Sequence, residues 1–407
     1  MKYKLSELAF YSTEKIEIDK VDESNYISTE NILPNKSGIC LADKLPQIKK
    51  VNAYKNGDIL ISNIRPYFKK IWFANRDGGH SADVLNFRAK EGVSNRFLYA
   101  LLFQDSFFNQ MVLSSKGTKM PRGDKNAIMN LEFEVPSYSK QEKISDILFY
   151  FQDKIELNNQ IISNLEELAS TLFKRWFVDF EFPDENGNPY KSSGGKMDDS
   201  EFGEIPECFQ VKKLSDIADV IGGGTPSKKV KEYFEDGNIS WITPKDLSIN
   251  KNIFIDRGKT SITRLGLNKS SAKLLPKNSI LFSSRAPIGY TAISKNELAT
   301  NQGFKSLIAL DGIPYQFIFH FIRNNVSKFE SIATGSTFKE VSGTAVKNFK
   351  IVLPTEEVLQ NYADVTSPLF KKIKIVEEEN NILTELRDSL LPKLLSGEIE
   401  LPEDEGV

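Results

Sequence analysis

Along Ser139–Trp176, apolar side chains fall at Ile144, Leu148, Phe151, Ile155, Ile162, Leu165, Leu172 and Trp176. Steps of three, four and seven residues trace a heptad seam and predict one long helix. Glu357–Leu394, 218 residues later, keeps the same frame at Tyr362, Leu369, Ile373, Val376, Leu383 and Leu390. At 1.5 Å per residue each stretch makes a rod of roughly 57 Å, too long for one ordinary globular core. Two arrangements fit the pattern. Each helix packs under its own domain, or the two pair antiparallel and hold two similar domains apart. In the second arrangement the polar seam residues Asn158, Thr366 and Asn380 fix register at some cost in stability.

Away from the rods the pattern switches to short β-branched and aromatic runs bounded by Asn, Gly and Pro, which read as strands. They recur. Lys4-Leu5-Ser6-Glu7-Leu8-Ala9 returns as Lys213-Leu214-Ser215-Asp216-Ile217-Ala218, and Tyr26–Ile32 as Trp241–Leu247. Asp58–Asn63, followed by Arg65, corresponds to Ser279–Arg285. Phe97–Trp176 lies on Tyr315–Leu394 without a gap: a helix over Phe97–Val112, a Gly-Thr loop, a strand ending in proline, and the rod. A period near 200 residues is a duplicated domain with its helix, not a solenoid. The expected fold class is α/β (α+β), duplicated, with a long two-helix antiparallel coiled coil. Boundaries follow at 1–137 for the first domain, 138–180 for its helix and 181–205 for a linker rich in Asp, Glu, Gly, Pro and Ser. The second domain takes 206–354, its helix 355–397, and an acidic tail 398–407.

The net charge of −2 conceals a partition. Residues 1–135 and 206–354 carry +4 and +9, whereas 136–205 and 355–407 carry −7 and −8. Basic globular parts suit a polyanionic partner. No apolar run approaches 18 residues and Met1–Phe10 has no signal-like core, so a soluble, cytoplasmic chain without membrane contact is expected. Cys40 and Cys208 lie outside any CxxC pattern and read as ordinary thiols in a reducing compartment.

Enzyme signals are poor. His80 and His320 form neither a triad nor a metal motif, and His320 aligns with the helix residue Leu102, which gives it a structural place. Gly222–Lys229 lacks phosphate-loop spacing, and Pro226 removes an amide that such a loop uses. It reads as a turn followed by lysines. Asn188-Pro189-Tyr190 is one proline short of the methyltransferase motif and has no glycine-rich loop beside it. No catalytic and no metal-binding residue is therefore assigned. DNA-binding signals are better. Ser62, Asn63 and Arg65 stand at a strand end equivalent to that of Ser283, Ser284 and Arg285. Lys116, Thr118, Lys119 and Arg122 match Ser336, Thr337 and Lys339, and Thr225, Lys228 and Lys229 complete the set. Arg and Asn bond base edges bidentately, and Ser, Thr and Lys hold phosphates.

Gly222–Pro226 with Trp241–Leu247, Thr334-Gly335-Ser336-Thr337 running to Val352-Leu353-Pro354, Leu172–Phe180 and Ser389–Gly397 together resemble the specificity subunits of type I restriction–modification systems. The resemblance covers nearly the whole chain, but in the first half Tyr11-Ser12-Thr13-Glu14 stands where the Gly-Gly-Gly-Thr-Pro loop is expected. It implies two target-recognition domains, each reading one half of a split DNA target, with the coiled coil setting the gap. It implies as partners double-stranded DNA, two methyltransferase subunits and restriction (translocase/nuclease) subunits. No cofactor is expected on this chain; S-adenosylmethionine, ATP and Mg are expected in the partner subunits. The alternatives are a stand-alone DNA methyltransferase or nuclease with unrecognised motifs, tested by S-adenosylmethionine binding to the chain alone, and a spacer with two protein-binding heads.

The ruler expectation has a direct test. Duplicating Asn158–Asn164 and Val376–Ile382 adds one heptad to each helix and keeps the seam in phase. Each helix grows by roughly 10 Å, about three base pairs. Binding to the native site should weaken, and any recovered site should carry the same half-sequences with a longer gap. Unchanged affinity in a gel-shift titration would show that the helices do not set spacing.

Overall fold

The computed structural model of the protein describes residues 2–335 and 339–401. Its strands sort their side chains by simple alternation. In Ile59–Ser62, Ile59 and Ile61 enter a core with Leu85, Phe87, Phe97, Leu101 and Phe108, while Leu60 enters another with Tyr54, Trp72 and Val84. The strand Ile280–Ser284 repeats this: Ile280 and Phe282 join the helix-side core with Phe317 and Phe329, and Leu281 joins Ile242, Leu275 and Phe304. Each strand is buried on both faces, which is why these runs are apolar throughout rather than alternating with polar residues.

The chain divides into two compact units, one of Met1–Glu156 with Asn381–Val407 and one of Leu157–Asn380. In the first, one sheet runs in the order Ala9–Tyr11, Val84–Ala89, Ile59–Ser62, Ile71–Phe73. The other runs Lys15–Glu17, Lys50–Tyr54, Gly78–His80, Tyr26–Ile27, the last pair parallel. The second unit keeps the plan. Ala218–Gly222, Lys305–Ala309, Ile280–Ser284 and Ile288–Ser294 lie in one sheet, extended by Phe254–Ile255. Ile239–Ile242 runs parallel to Leu298–Thr300 in the other. In both units a short pair ties the first strand to the last, Lys2–Lys4 with Glu132–Glu134 and Gln210–Lys213 with Lys350–Leu353. The duplication read from the sequence is thus present in most strands, while Lys15–Glu17 pairs only in the first unit and Phe254–Ile255 and Thr260–Ile262 only in the second.

The single helix expected over Phe97–Val112 is two, Asn95–Phe103 and Asp105–Leu113. Gln104 takes extended backbone (φ −65°, ψ 147°), and after this corner Phe107, Phe108 and Met111 reach the same core as Phe97 and Leu101. The segment 181–205 is more ordered than its composition suggests. Phe182 stacks on Tyr190 at 4.6 Å and on Phe209 at 4.9 Å, and Met197–Ser200 pairs antiparallel with Gly203–Pro206. Polar composition hid three rings that bury one another.

The long helices span Tyr138–Phe177 and Glu356–Ser396, and the unit boundary falls inside each. Within the second unit they run antiparallel. Trp176 and Phe177 lie 5.8 and 4.9 Å from Tyr362, whereas Asn158 Nδ2 donates to Glu379 Oε2 and Asn380 Oδ1, both at 2.9 Å. Asn380 Nδ2 answers to Asn159 Oδ1. Two of the polar seam residues therefore meet, as register-setting asparagines do. The third, Thr366, bonds the carbonyl of Tyr362 on its own helix instead. Within the first unit, Ile144 and Leu148 share a core with Leu391 and Leu394.

One carboxylate on the second long helix holds the sheet. Glu377, 3% exposed, accepts the N–H groups of Ile253 at 2.6 Å and Phe254 at 3.2 Å. Burial pushes its pKa up to about 8, against the pull of those two N–H donors; Glu166 adds to the rise and Lys295 opposes it. A raised folded value means that stability is full below the ordinary value of 4.5 and is lost as pH rises through about 8. Glu377→Gln should thus gain on the wild type between those limits and run parallel to it above them. Melting temperatures across that range decide; a pH-independent difference would place the carboxyl at its ordinary value.

Candidate nucleic-acid interface

Two loops meet at the same place in each unit. In the first, the hairpin after Ile59–Ser62 is stitched to the loop before the short helix Lys125–Met129. Arg65 N–H donates to Pro121 O at 2.8 Å and Gly123 N–H to Asn63 O at 3.2 Å, with Ile64 paired to Arg122 and Lys116 to Arg122. In the second, Val341 N–H donates to Ser284 O at 3.0 Å, with Arg285 paired to Glu340 and Thr334 to Glu340. The backbones agree at one further point: Arg65 and Ala286, each before a proline, both take positive φ, 51° and 50°. In this frame Arg285 corresponds to Ile64, and Arg65 to Ala286. The two arginines stand at equivalent strand ends but one residue apart.

Burial separates the expected site residues into two groups. Ser62, Asn63, Ser283 and Ser284 are buried. Ser62 Oγ donates to Ile64 O, Ser283 Oγ donates to Pro287 O and accepts from Tyr290 N–H, and Ser284 Oγ donates to Gly303 O. Hydroxyls with internal partners shape the loops rather than present themselves. Asn63 Oδ1 is buried without a partner among the described residues. Arg65, Lys116, Thr118, Lys119, Arg122, Lys228, Lys229 and Lys339 are exposed. Several of these cations are already paired: Lys116 to Asp124 at 2.5 Å, Arg122 to Asp83 at 3.1 Å, and Arg285 to Glu340 at 3.4 Å. Glu340 also binds Lys305 at 3.0 Å. Ser336 and Thr337 lie outside the described residues.

The Gly222–Pro226 loop is fixed by close approach. An added Cβ would stand 1.9 Å from Asn301 O at Gly223 and 2.2 Å from Ala272 N at Gly224. Gly223 N–H goes to Phe304 O and Gly224 N–H to Thr300 O, so these amides are not open to a phosphate. Trp241 Nε1 donates to Gly224 O at 2.9 Å, and half-buried Thr225 bonds Gln302. The neighbouring Gly303 O receives Ser284 N–H, which brings this loop alongside the Arg285 hairpin. The turn reading of the glycine run agrees with this geometry.

Both histidines are 3% exposed; burial pulls His80 down to about 4 and His320 to about 3. Cys40 and Cys208 are free and exposed. No helix among the described residues is long and apolar enough to cross a membrane. Sequence reasoning missed the exposed apolar side chains beside the first unit's cations: Tyr67, Phe68 and Met120. An aromatic pair after proline at a hairpin tip was the available signal. Gly224→Ala should destabilise the protein by about 1–3 kcal/mol through overpacking against backbone, measured by denaturant unfolding, and should blue-shift Trp241 fluorescence little if the loop merely slides.

The model of the type I restriction modification DNA specificity domain matches residues 2–167 and again 206–385. The chain is 40% identical over 190 residues to the type I restriction enzyme MjaIX specificity subunit of Methanocaldococcus jannaschii, an alignment covering 46% of this chain and 44% of that protein. It is 27% identical to the type I restriction enzyme HindI specificity subunit of Haemophilus influenzae over 459 aligned positions, covering 98% and 99%. The crystal structure of the type I restriction–modification system S subunit from M. genitalium superposes with a TM-score of 0.60 at 14% identity, covering 99% of this chain and 96% of that one, which shows a common fold. With two matched copies spanning most of its length, the chain belongs to the type I restriction modification DNA specificity family.

Proposed function

We propose that this chain reads a two-part DNA sequence, one part with the loop face of each unit, and brings methyltransferase and restriction subunits to it. The observation that carries this reading is the recurrence, in two units of different sequence, of one arrangement: a hairpin tip paired through backbone to a cation-bearing loop. Arg65, Lys119 and Arg285 are the side chains assigned to base edges or adjacent phosphates. Lys116, Arg122, Lys228, Lys229 and Lys339, with Thr118 and Thr225, are assigned to phosphates, and the buried Ser62, Asn63, Ser283 and Ser284 to holding the loops. Lys116, Arg122 and Arg285 then exchange their carboxylate partners for DNA, so part of the binding energy is spent on breaking ion pairs. Recognition resides here, and S-adenosylmethionine, ATP and Mg are assigned to the partner subunits.

Exchanging Lys213–Pro354 for the matching segment of a relative should change one half of the methylated sequence and leave the other intact, read by genome-wide mapping of methylated adenines. Change in both halves, or in neither, overturns the modular reading. In the same experiment series, Lys228→Ala with Lys229→Ala should weaken all sequences alike and flatten the salt dependence; an unaltered slope removes those lysines from the interface.

A further inference from the structure

The turn Pro66–Phe68 is held in place by backbone that resists its side chains. Arg65 and Lys69 flank it at φ 51°, and Asn35 and Lys36, at φ 56° and 60°, lie against it. These are four of the eight non-glycine residues with positive φ among those described. Left-handed backbone is unfavourable for each residue with a Cβ. The strain is met by a closed set of bonds. Asn35 N–H donates to Phe68 O at 2.8 Å, Lys36 N–H to Lys69 O at 2.9 Å, and Arg65 N–H to Pro121 O at 2.8 Å. Lys36 and Lys69 both bind Asp105, at 2.8 and 2.6 Å.

All this scaffolding does not bury the residues it carries. Tyr67 is 50% exposed and Phe68 39%, their rings 4.7 Å apart and tilted. Beside them stand exposed Arg65, whose side chain has no partner among the described residues, and, next to Pro121, exposed Met120 and Lys119. Two aromatic rings presented to water on a turn held by backbone bonds, with Arg65 preceding the turn and Lys119 in the loop bonded to it, match a polyanion with apolar faces inside it. Stacked bases within a phosphate backbone have that chemistry. The second unit has Ile288 and Gly289 after its proline, and no aromatic pair at that tip.

We propose that Tyr67 and Phe68 form an aromatic wedge that enters one base step of the DNA half-site read by the first unit, with Arg65 anchoring it to the adjacent backbone. This rests on the DNA reading above. Side chains inserted between base pairs unstack the step and kink the duplex, and pyrimidine–purine steps yield most readily. The wedge therefore selects a deformable step without a hydrogen bond to it. It acts in one half-site only.

The test uses the full chain, a duplex pool of randomised sequence as probe, and the Tyr67→Ala, Phe68→Ala double variant. The wild type should enrich a two-part sequence with a pyrimidine–purine step in one part. The variant should keep the other part, lose selection at that step, and bind the wild-type consensus about ten-fold or more weakly, with its salt dependence unchanged because no charge is removed. 2-Aminopurine placed at the step should brighten on binding wild type, stay dark with the variant, and brighten again with Tyr67→Trp. A variant that selects the same sequence with the same fluorescence overturns the wedge and leaves the DNA reading standing. Loss of both half-sites also overturns it, since the rings then serve the fold. If the wild type enriches nothing, the DNA reading itself falls.

Discussion

Neither unit can close its core with sequence-local residues, and that constraint governs the molecule. In the first unit, Ile144 and Leu148 from one long helix and Leu391 and Leu394 from the other are buried with Phe97, Phe103 and Phe108. Leu391 is almost three hundred positions from Phe97, so this core is completed only when the end of the second helix returns. In the second unit, Phe173, Trp176 and Phe177 pack with Tyr362, Phe370 and Ile373 around Phe317 and Phe319. Burying each large side chain is worth about 1.5–3 kcal/mol. The helices are therefore part of each unit's folding energy. A helix that merely connected domains would carry its apolar residues toward a single partner helix. These carry them toward helices and sheets together, which is why the buried set includes Phe173, Phe177, Val358 and Phe370 off the heptad seam.

Polar groups at the helices then decide geometry rather than stability. Asn158 spends both N–H donors on Glu379 and Asn380 yet leaves its own oxygen buried without a partner among the described residues. Glu377 gives up a solvated carboxylate to hold two amides at the start of Phe254–Ile255. An apolar residue in place of Glu377 would leave those two buried N–H groups without an acceptor. What these groups supply is one register for the helix pair and one seat for the strand. A smooth apolar seam could slip by a heptad without penalty.

The features legible in the sequence were those carried by periodicity. Heptad spacing placed both long helices to within a residue or two of Tyr138–Phe177 and Glu356–Ser396, and recurring strand runs disclosed the duplication. Features set by pairing across distance were not legible. The corner at Gln104 depends on what Phe107 and Phe108 meet, and the order in 181–205 depends on Phe182 finding Phe209. The same limit applies at the loops. Sequence position named Lys116, Arg122 and Arg285 as DNA-binding candidates without their acidic partners, because Asp124, Asp83 and Glu340 are assembled beside them only by the fold. Net charge per segment survives such pairing, but the field that a partner meets at one loop does not.

The loop faces divide backbone from side chain. Arg65 and Ala286 share a left-handed backbone and a following proline while having nothing chemically in common. Ile64 and Arg285 share a bridge partner position, filled by Arg122 in one unit and Glu340 in the other, so the charges across that bridge differ completely. The strain at such positions holds the hairpin tip at a fixed angle whatever residue sits there. With the angle fixed by backbone hydrogen bonds and buried serines, the exposed side chains are released from any structural duty. One scaffold can then carry two different reading surfaces. An aromatic pair on one tip and Ile288-Gly289 on the other are both compatible with the backbone bonds that the two units share there, Gly123 N–H to Asn63 O with the Lys116–Arg122 pair in one and Val341 N–H to Ser284 O with the Thr334–Glu340 pair in the other.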